Sequence, residues 1–325
     1  MRATTLVLTS FLLAGCPLEP SFVVIGAELP GALLSVRGTS DDDVWACGSD
    51  GGGGPGFVHW NGSEWESFDT GPWAGVDLWW LHVGEDVVTA VGSSGTILEL
   101  DRATGELRDA GGPGGEGTFF GVWGASEDEL WAVGGTVSDT VPPLLWSNQG
   151  GAWQDARGDL GEAGETFFKI HGNASDAVIV GTGGLALRKV DGSWTESPTG
   201  VTDRLLTVDV GVEETVAVGG TSNGLALHLV GDSWIDESPD FQLPINGVCS
   251  GGGMLRAVGG RDAVHTWTDG AWSTPNPNEL PTSLGLDYHA CWLGSDGSFW
   301  GVGGNLVQLS DGFVVREGRG KVSPL

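Results

Sequence analysis

The stretch Glu129-Leu130-Trp131-Ala132-Val133-Gly134 recurs in altered form along the whole chain. Close copies are Asp43-Val44-Trp45-Ala46-Cys47-Gly48 and Ser298-Phe299-Trp300-Gly301-Val302-Gly303. Each copy ends in a glycine, and seven such glycines follow one another at intervals of roughly 40 residues. They are Gly48, Gly92, Gly134, Gly181, Gly219, Gly259 and Gly303. A period of this length, in units rich in Val, Trp and Gly, predicts a β-propeller with seven blades.

Each unit reads as four short strands. A strand such as Phe120-Gly121-Val122-Trp123-Gly124 precedes the repeated stretch, and a third such as Leu185-Ala186-Leu187-Arg188 follows it. A turn such as Asp191-Gly192-Ser193-Trp194 then leads into the fourth, because Asp-Gly favours two-residue hairpins. The sequence therefore predicts an all-β fold: a seven-bladed β-propeller with four-stranded blades over residues 22–320, followed by a tail at 321–325.

Ring closure has two candidates. Phe22-Val23-Val24 reads as an outer strand without a blade of its own, which would complete blade seven. Phe313-Val314-Val315 also reads as the outer strand of blade seven. Pairing of both would give a last blade of five strands.

The N-terminus resembles a secretory signal peptide over residues 1–15, with Arg2 before an apolar stretch. Leu13-Ala14-Gly15-Cys16 resembles the lipobox of bacterial lipoproteins, in which the cysteine is acylated. The resemblance implies lipidation of Cys16, a tether over residues 16–21, and, with Pro17 after the cysteine, an outer-membrane or cell-surface location. No other segment is long and apolar enough to span a bilayer.

The net charge of −29 excludes nucleic acid as a direct partner and disfavours anionic lipid at the protein surface. Acidic residues cluster in the turns between first and second strands, where we expect solvated loops. No calcium-loop motif accompanies them, and the six histidines fall in different registers, so no metal or cofactor is predicted. The acidic turns are Asp41-Asp42-Asp43, Glu127-Asp128-Glu129, Asp176, Glu213-Glu214 and Asp296.

Three cysteines remain besides Cys16. Cys249 and Cys291 fall in the first strands of adjacent blades and are the favoured pair if a disulfide forms. They point to opposite faces of their strands, so three buried free thiols, including Cys47, are the alternative.

The first strands also carry the residues expected to face the central channel. Mixed charges and aromatic rings there would suit a small polar or sugar-like ligand, while mutual pairing is the alternative. These residues are Arg37, Trp123, Lys169, His171, Asp209 and Trp292.

Sixteen tryptophans are present. The periodic Trp45, Trp131 and Trp300 are expected in the core. Trp73, Trp79 and Trp80 fall in or beside a link between blades, where stacking on a sugar is an alternative to burial.

The piece Thr268-Asp269-Gly270-Ala271-Trp272 resembles the Asp-box of sialidase-type propellers, which is a structural hairpin there. The whole unit is similar to the tandem propeller repeats of secreted bacterial, myxobacterial-type lipoproteins, and more distantly to BNR and photosystem-assembly-factor propellers. This resemblance spans 22–316 and implies the fold.

No catalytic motif occurs, since Tyr288 is the sole tyrosine and no nucleophile elbow is present. We therefore expect a monomeric, lipid-anchored, non-enzymatic module that binds an envelope protein or glycan. A divergent carbohydrate-active or lactonase-like hydrolase with its site in the channel is the alternative.

Overall fold

The computed structural model describes residues 21–136, 142–160, 165–174, 176–212, 214–238, 243–274 and 284–325. The predicted leader, the lipidation residue Cys16 and the acidic Glu213 lie outside the described residues. The described helical residues are confined to short 3-10 turns such as Gly71–Trp73. Seven sheets of four antiparallel strands form a seven-bladed β-propeller, so the predicted fold is confirmed.

Each blade is built from strands that run in chain order from the channel outward. The first strands, which line the channel, are β2 (Leu33–Ser40), β6 (Leu78–Val83), β10 (Thr118–Ser126), β14 (Phe167–Gly172), β18 (Leu205–Val210), β22 (Ile245–Gly251) and β26 (Asp287–Leu293). The second strands are β3 (Asp43–Asp50), β7 (Val87–Gly92), β11 (Glu129–Gly135), β15 (Ala177–Gly181), β19 (Thr215–Gly219), β23 (Met254–Gly259) and β27 (Phe299–Asn305). The third strands are β4 (Pro55–Trp60), β8 (Ile97–Asp101), β12 (Leu144–Ser147), β16 (Ala186–Val190), β20 (Leu225–Val230), β24 (Val264–Thr268) and β28 (Ser310–Gly318). The outer strands are β5 (Trp65–Ser67), β9 (Leu107–Asp109), β13 (Gln154–Asp155), β17 (Ser193–Glu196), β21 (Ser233–Asp236), β25 (Ala271–Ser273) and, in blade seven, β1 (Ser21–Leu29).

The seven repeat glycines share one steric reason. A Cβ added at Gly48 would overlap the carbonyl oxygen of Ala32, where the chain enters the first strand of the same blade. The other six repeat glycines meet an equivalent carbonyl, for example that of Thr118 at Gly134. The repeat that identifies the fold therefore marks the point where two strands of a blade come closest.

Hydrophobic burial joins each blade to the next. Trp45 and Phe57 of blade one pack in one buried cluster with Leu78 and Leu81 of blade two. Trp45, Trp131 and Trp300 are at most 5% exposed, which confirms the prediction that the periodic tryptophans are core residues. Because each blade covers its neighbour, closing the ring hides both faces of every sheet.

The ring is closed by the N-terminal strand. Blade seven has the order β1-β28-β27-β26, so the Phe22-Val24 segment closes it as one alternative predicted. The placement of Phe313-Val315 as an outer strand was wrong, and so was the five-stranded alternative. Those residues lie in the third strand and are buried, because β28 begins only five residues after β27 ends.

The C-terminal tail packs against this closure. The amide of Leu325 donates to the carbonyl of Ile25 at 2.9 Å, and the Trp65 indole N–H donates to the carbonyl of Ser323 at 3.1 Å. The tail therefore contacts both the closing strand and the outer strand of blade one.

Candidate functional site

Seven side chains occupy equivalent positions in the first strands. Each pairs with the residue three places before a repeat glycine: Arg37 with Trp45, for example, and Asp209 with Val216. The seven are Arg37, His82, Trp123, His171, Asp209, Cys249 and Trp292. This layer contains five of the six residues predicted to face the channel.

His82 and Cys249 belong to the same layer but were missed. The first strand that carries His82 ends in Val83, where a glycine stands in blades one, three and four, so alignment on that glycine passes over it. Counting back from the repeat glycine through the second strand places both residues, since the register is the same in every blade.

Lys169 lies two residues earlier in its strand and is buried, with 3% exposed. Its ammonium group donates to the carbonyl of Phe120 at 2.8 Å and lies 3.2 Å from the centroid of the Trp80 ring. The guanidinium carbon of Arg37 lies 4.4 Å from the same ring. Burial, together with the charge of Arg37, lowers the pKa of Lys169 well below its usual value.

An aromatic layer fills the channel beyond Lys169. The Trp79 and Phe120 rings are 5.3 Å apart, and the Phe120 and Phe168 rings are 5.6 Å apart. His289 lies edge-on to Trp79 at 5.7 Å, and burial lowers its pKa to about 3. Trp80 is buried, so it cannot stack on a sugar, whereas Trp79 and Trp73 are half-buried.

A cavity of about 590 Å³ opens at the other end of the channel. We call this the mouth, and the face of the ring that carries the turns between first and second strands the mouth face. Arg37, His171, Asp209 and Trp292 line the axial part of the mouth, and a groove runs outward between blades five and six. The groove is lined by Val212, Glu214, Gly251, Gly252, Gly253, Met254 and Trp267.

Two of the predicted residues do not line the mouth. Lys169 lies deeper, against Trp80. Trp123 packs over Gly172 of the next blade, at a distance that leaves no room for a Cβ there. Trp292 covers Gly38 of blade one in the same way, but it also lines the cavity.

Arg37 is held by one of its nitrogens only. Nη1 donates to the carbonyls of Val36 at 3.0 Å and Cys291 at 2.8 Å. Within the described part of the chain, Nε and Nη2 have no acceptor. Burial lowers the pKa of Arg37 to about 10, and the nearby Asp209 acts in the opposite direction. The guanidinium therefore stays charged at neutral pH.

His171 and Asp209 meet without a hydrogen bond between them. The backbone N–H of Val210 donates to Nδ1 of His171 at 2.8 Å, so this nitrogen is an acceptor. The same Nδ1 lies 3.4 Å from Oδ1 of Asp209, which is also an acceptor. An ion pair would need a proton on Nδ1, and burial lowers the pKa of His171, so we assign the neutral ring with its proton on Nε2.

The remaining carboxylate oxygen of Asp209 accepts a hydrogen bond from the hydroxyl of Ser250. Serine, histidine and aspartate are thus neighbours, but the carboxylate lies between the other two. In a nucleophilic triad the histidine must contact the serine to take its proton. The arrangement at the mouth is suited to binding and not to activation of Ser250.

A disulfide between Cys249 and Cys291 forms part of this wall, and Cys47 is a buried free thiol. The sequence left this pair and three free thiols as alternatives, and the structure has the pair. The two cysteines do lie on opposite faces of their strands, and that is the arrangement a bridge requires, because adjacent blades turn opposite faces toward each other.

The acidic turns differ from expectation. Several of them join blades: Asp43 of blade one pairs with Arg102 of blade two at 2.7 Å, and Glu129 of blade three pairs with Lys189 of blade four at 2.7 Å. Asp41 binds Arg316 of blade seven, whose side chain is buried. The expectation of purely solvated loops was wrong for these residues, because their partners lie one blade away and far along the chain.

Among the described residues, no cluster of His, Cys, Asp and Glu could hold a metal ion. No described helix is long and apolar enough to cross a membrane.

Solved structures share the fold at low sequence identity. YCF48 bound to D1 peptide aligns with a TM-score of 0.68 at 12% identity, covering 91% of this chain and 96% of that one. YCF48 from Cyanidioschyzon merolae gives 0.66 at 13% identity, with 91% and 98% covered. The WD40 repeats of RRP9 give 0.65 at 10% identity, with 94% and 100% covered. No protein-family model matches the sequence, and no curated protein matches it.

Proposed function

We propose that this propeller is a non-enzymatic binding module, anchored to the cell envelope by an acyl group on Cys16, that holds a protein partner at its mouth. The observation that carries the proposal is the open mouth itself, whose axial part is lined by Arg37, His171 and Asp209. Among the described residues, Nε and Nη2 of Arg37 and Oδ1 of Asp209 have no hydrogen-bond partner, and both side chains line this cavity.

The geometry of the closing strand relates the mouth to the proposed anchor. Ser21 pairs with Gly318, at the end of a third strand, and third strands end on the mouth face. Arg316 in that strand contacts Asp41, in the first turn of blade one on the same face. Four residues lie between Cys16 and Ser21, so five Cα–Cα steps give a reach of at most about 18 Å. An acylated Cys16 would therefore keep the mouth face near the bilayer, so the partner is a membrane protein with a segment at the membrane surface.

The comparisons support a protein partner through the fold alone. Two of the similar structures are WD40 and YCF48 propellers, and one of them, YCF48, is described with a bound D1 peptide. Propellers of this architecture host many functions, so the argument for this chain depends on its own mouth.

The hydrolase alternative draws less support from the site. A hydrolytic role for His171 would need a proton path to a nucleophile, and its Nδ1 is engaged by the Val210 amide while Ser250 is bonded to Asp209. The glycan alternative is weakened by the burial of Trp80 and the half-burial of Trp73 and Trp79 within the fold.

Capture of partners from detergent-solubilised envelopes tests the proposal. The full-length protein should retain one or more membrane proteins, and Asp209→Asn should lose them. Asp42→Asn is the matched control, since Asp42 is exposed on the same face outside the cavity. Equal capture by wild type and Asp209→Asn, or the absence of any captured membrane protein, would contradict the proposal.

A further inference from the structure

Arg37 and Asp209 face the same cavity with opposite charges. They come from blades one and five, and the charge of Asp209 acts on the pKa of Arg37. No ion pair joins them in the described structure: Asp209 accepts a hydrogen bond from Ser250 and lies beside the neutral His171, and Arg37 donates only to backbone carbonyls. Two opposite charges that line one open cavity of about 590 Å³ without pairing can each contact a molecule bound in it.

The hydrogen-bonding atoms that remain free on Arg37 and on Asp209 suit two different groups of a ligand. Nε and Nη2 of Arg37 are donors without an acceptor among the residues that the structure describes, which suits a carboxylate in bidentate geometry. Oδ1 of Asp209 is an acceptor that faces a second acceptor, Nδ1 of His171, at 3.4 Å. Since the Val210 amide already donates to Nδ1 of His171, Oδ1 of Asp209 is the acceptor left for a ligand, and an ammonium group supplies an N–H donor with the matching charge.

We infer that the mouth binds a small zwitterion of the amino-acid or dipeptide class, with its carboxylate on Arg37 and its ammonium group on Asp209. Neutral sugars lack both charges, and a simple carboxylate or amine satisfies only one side.

The shape and lining of the groove also indicate which kind of ligand side chain would bind there. About 590 Å³ is enough for a dipeptide, and the groove leads outward over Gly251 and Gly253, which have no side chains to fill it. Met254 and Trp267 line its outer part, while Val212 is fully exposed at the rim. An aliphatic or aromatic side chain would bury apolar area along this groove.

This inference goes beyond the protein partner proposed above and needs only the cavity. If the protein binds the zwitterion but captures no membrane protein, this inference holds and the proposed function is wrong. Capture without zwitterion binding would do the opposite.

Isothermal titration calorimetry of the full-length protein at pH 7.5 tests it with four probes: L-leucine, L-alanyl-L-leucine, N-acetyl-alanyl-leucine and alanyl-leucinamide. We expect saturable binding of at least one of the two zwitterions, which identifies a free amino acid or a short peptide as the source. Each blocked dipeptide should bind at least tenfold more weakly than the open one, or not at all. Absence of saturable binding by both zwitterions up to millimolar concentration would overturn the inference, and so would equal binding of the blocked forms.

Variants connect the binding to the two charges. Asp209→Asn and Arg37→Met should each weaken binding at least tenfold, whereas Arg37→Lys keeps the charge and should retain part of it. Asp42→Asn is the control and should bind as wild type does. Thermal unfolding of each variant reports whether it is folded, and Arg37→Lys keeps the test valid if Arg37→Met is not. Unchanged affinity in folded Asp209→Asn would overturn the inference.

Discussion

The ammonium nitrogen of Lys169 lies 3.2 Å from the centroid of the Trp80 ring, although the two residues belong to blades four and two. The side chain crosses blade three at Gly121, where an added Cβ would come within 3.1 Å of the Lys169 Cα and 3.0 Å of the Ile170 nitrogen. On one side of this contact the mouth carries the charged Arg37 and Asp209, and on the other side aromatic rings line the channel. Lys169 therefore lies between the mouth and the aromatic part of the channel.

Replacing Lys169 should flatten the alkaline dependence of stability. Burial lowers the folded-state pKa of Lys169, so between that value and the ordinary lysine pKa of about 10.4 the unfolded chain binds a proton that the folded chain does not. Wild-type stability then rises as pH rises through this window. In urea denaturation measured at several pH values from 7 to 10, the free energy of unfolding of Lys169→Met should exceed that of wild type by the largest amount at the lowest pH. The exposed Lys321→Met is the control, and parallel curves for wild type and Lys169→Met would refute the assignment.

His82 should contribute to acid unfolding. Burial, followed by the charges of His171 and Arg37, lowers its pKa to about 4, from an ordinary value near 6.5. As pH falls from 6.5 toward 4 the unfolded chain takes up the proton first, so stability is lost over this range, by at most about 3 kcal/mol for this group. His82→Leu should move the acid-unfolding midpoint to lower pH, measured by circular dichroism, and should differ little from wild type at pH 8. An unchanged midpoint would show that His82 titrates normally.

Asp41 should be needed for closure of the ring. It accepts hydrogen bonds from the Trp300 indole at 2.9 Å and from Nε of Arg316 at 3.2 Å, and Arg316 is only 4% exposed. Asp41→Ala leaves that buried cation without its carboxylate, which costs about 3–5 kcal/mol. The neighbouring Asp42 is exposed, so Asp42→Ala should stay within about 0.5 kcal/mol of wild type. Equal urea midpoints for the two variants would contradict this role.

The cysteines should react in a fixed order. In a full-length Cys16→Ser protein, maleimide should add no label to the folded chain, because Cys47 is buried and the other two cysteines form a disulfide. Denaturant without reductant should give one label by mass spectrometry, and denaturant with reductant three. Three labels without reductant would show that the disulfide is absent. Reduction should lower the free energy of unfolding by about 2–4 kcal/mol.

The fold was predictable because its repeat has a local steric cause. The glycine at Gly48 or Gly134 accommodates a carbonyl of its own blade, and this requirement appears in the sequence as a period. Closure was less predictable, since Phe313-Val315 has the same β-branched and aromatic composition whether it forms a third or an outer strand. The number of residues after β27 decides between them, and the short turn there allows a third strand immediately.

The site was predictable only as far as the register of the first strands. Arg37 and His171 were found because each precedes the glycine of the repeated first-strand motif, and their convergence with Asp209 follows from the ring. The free atoms of Arg37 and the acceptor state of His171 were not predictable, because they depend on the Cys291 carbonyl and the Val210 amide. The ion pairs of the acidic turns were missed for the same reason, since Asp43 and Arg102 are neighbours only in space.

The most direct test of the mouth as the partner site is photo-cross-linking from two exposed valines on opposite faces. Val212 is fully exposed at the rim of the mouth, whereas Val307 is 92% exposed in the turn between β27 and β28, on the other face. A photoreactive amino acid should be placed at each position of the full-length protein in the producing cell. The account predicts a cross-linked membrane protein from position 212 and none from position 307. Cross-linking from 307 alone would show that the partner binds the face away from the mouth, and would contradict the account.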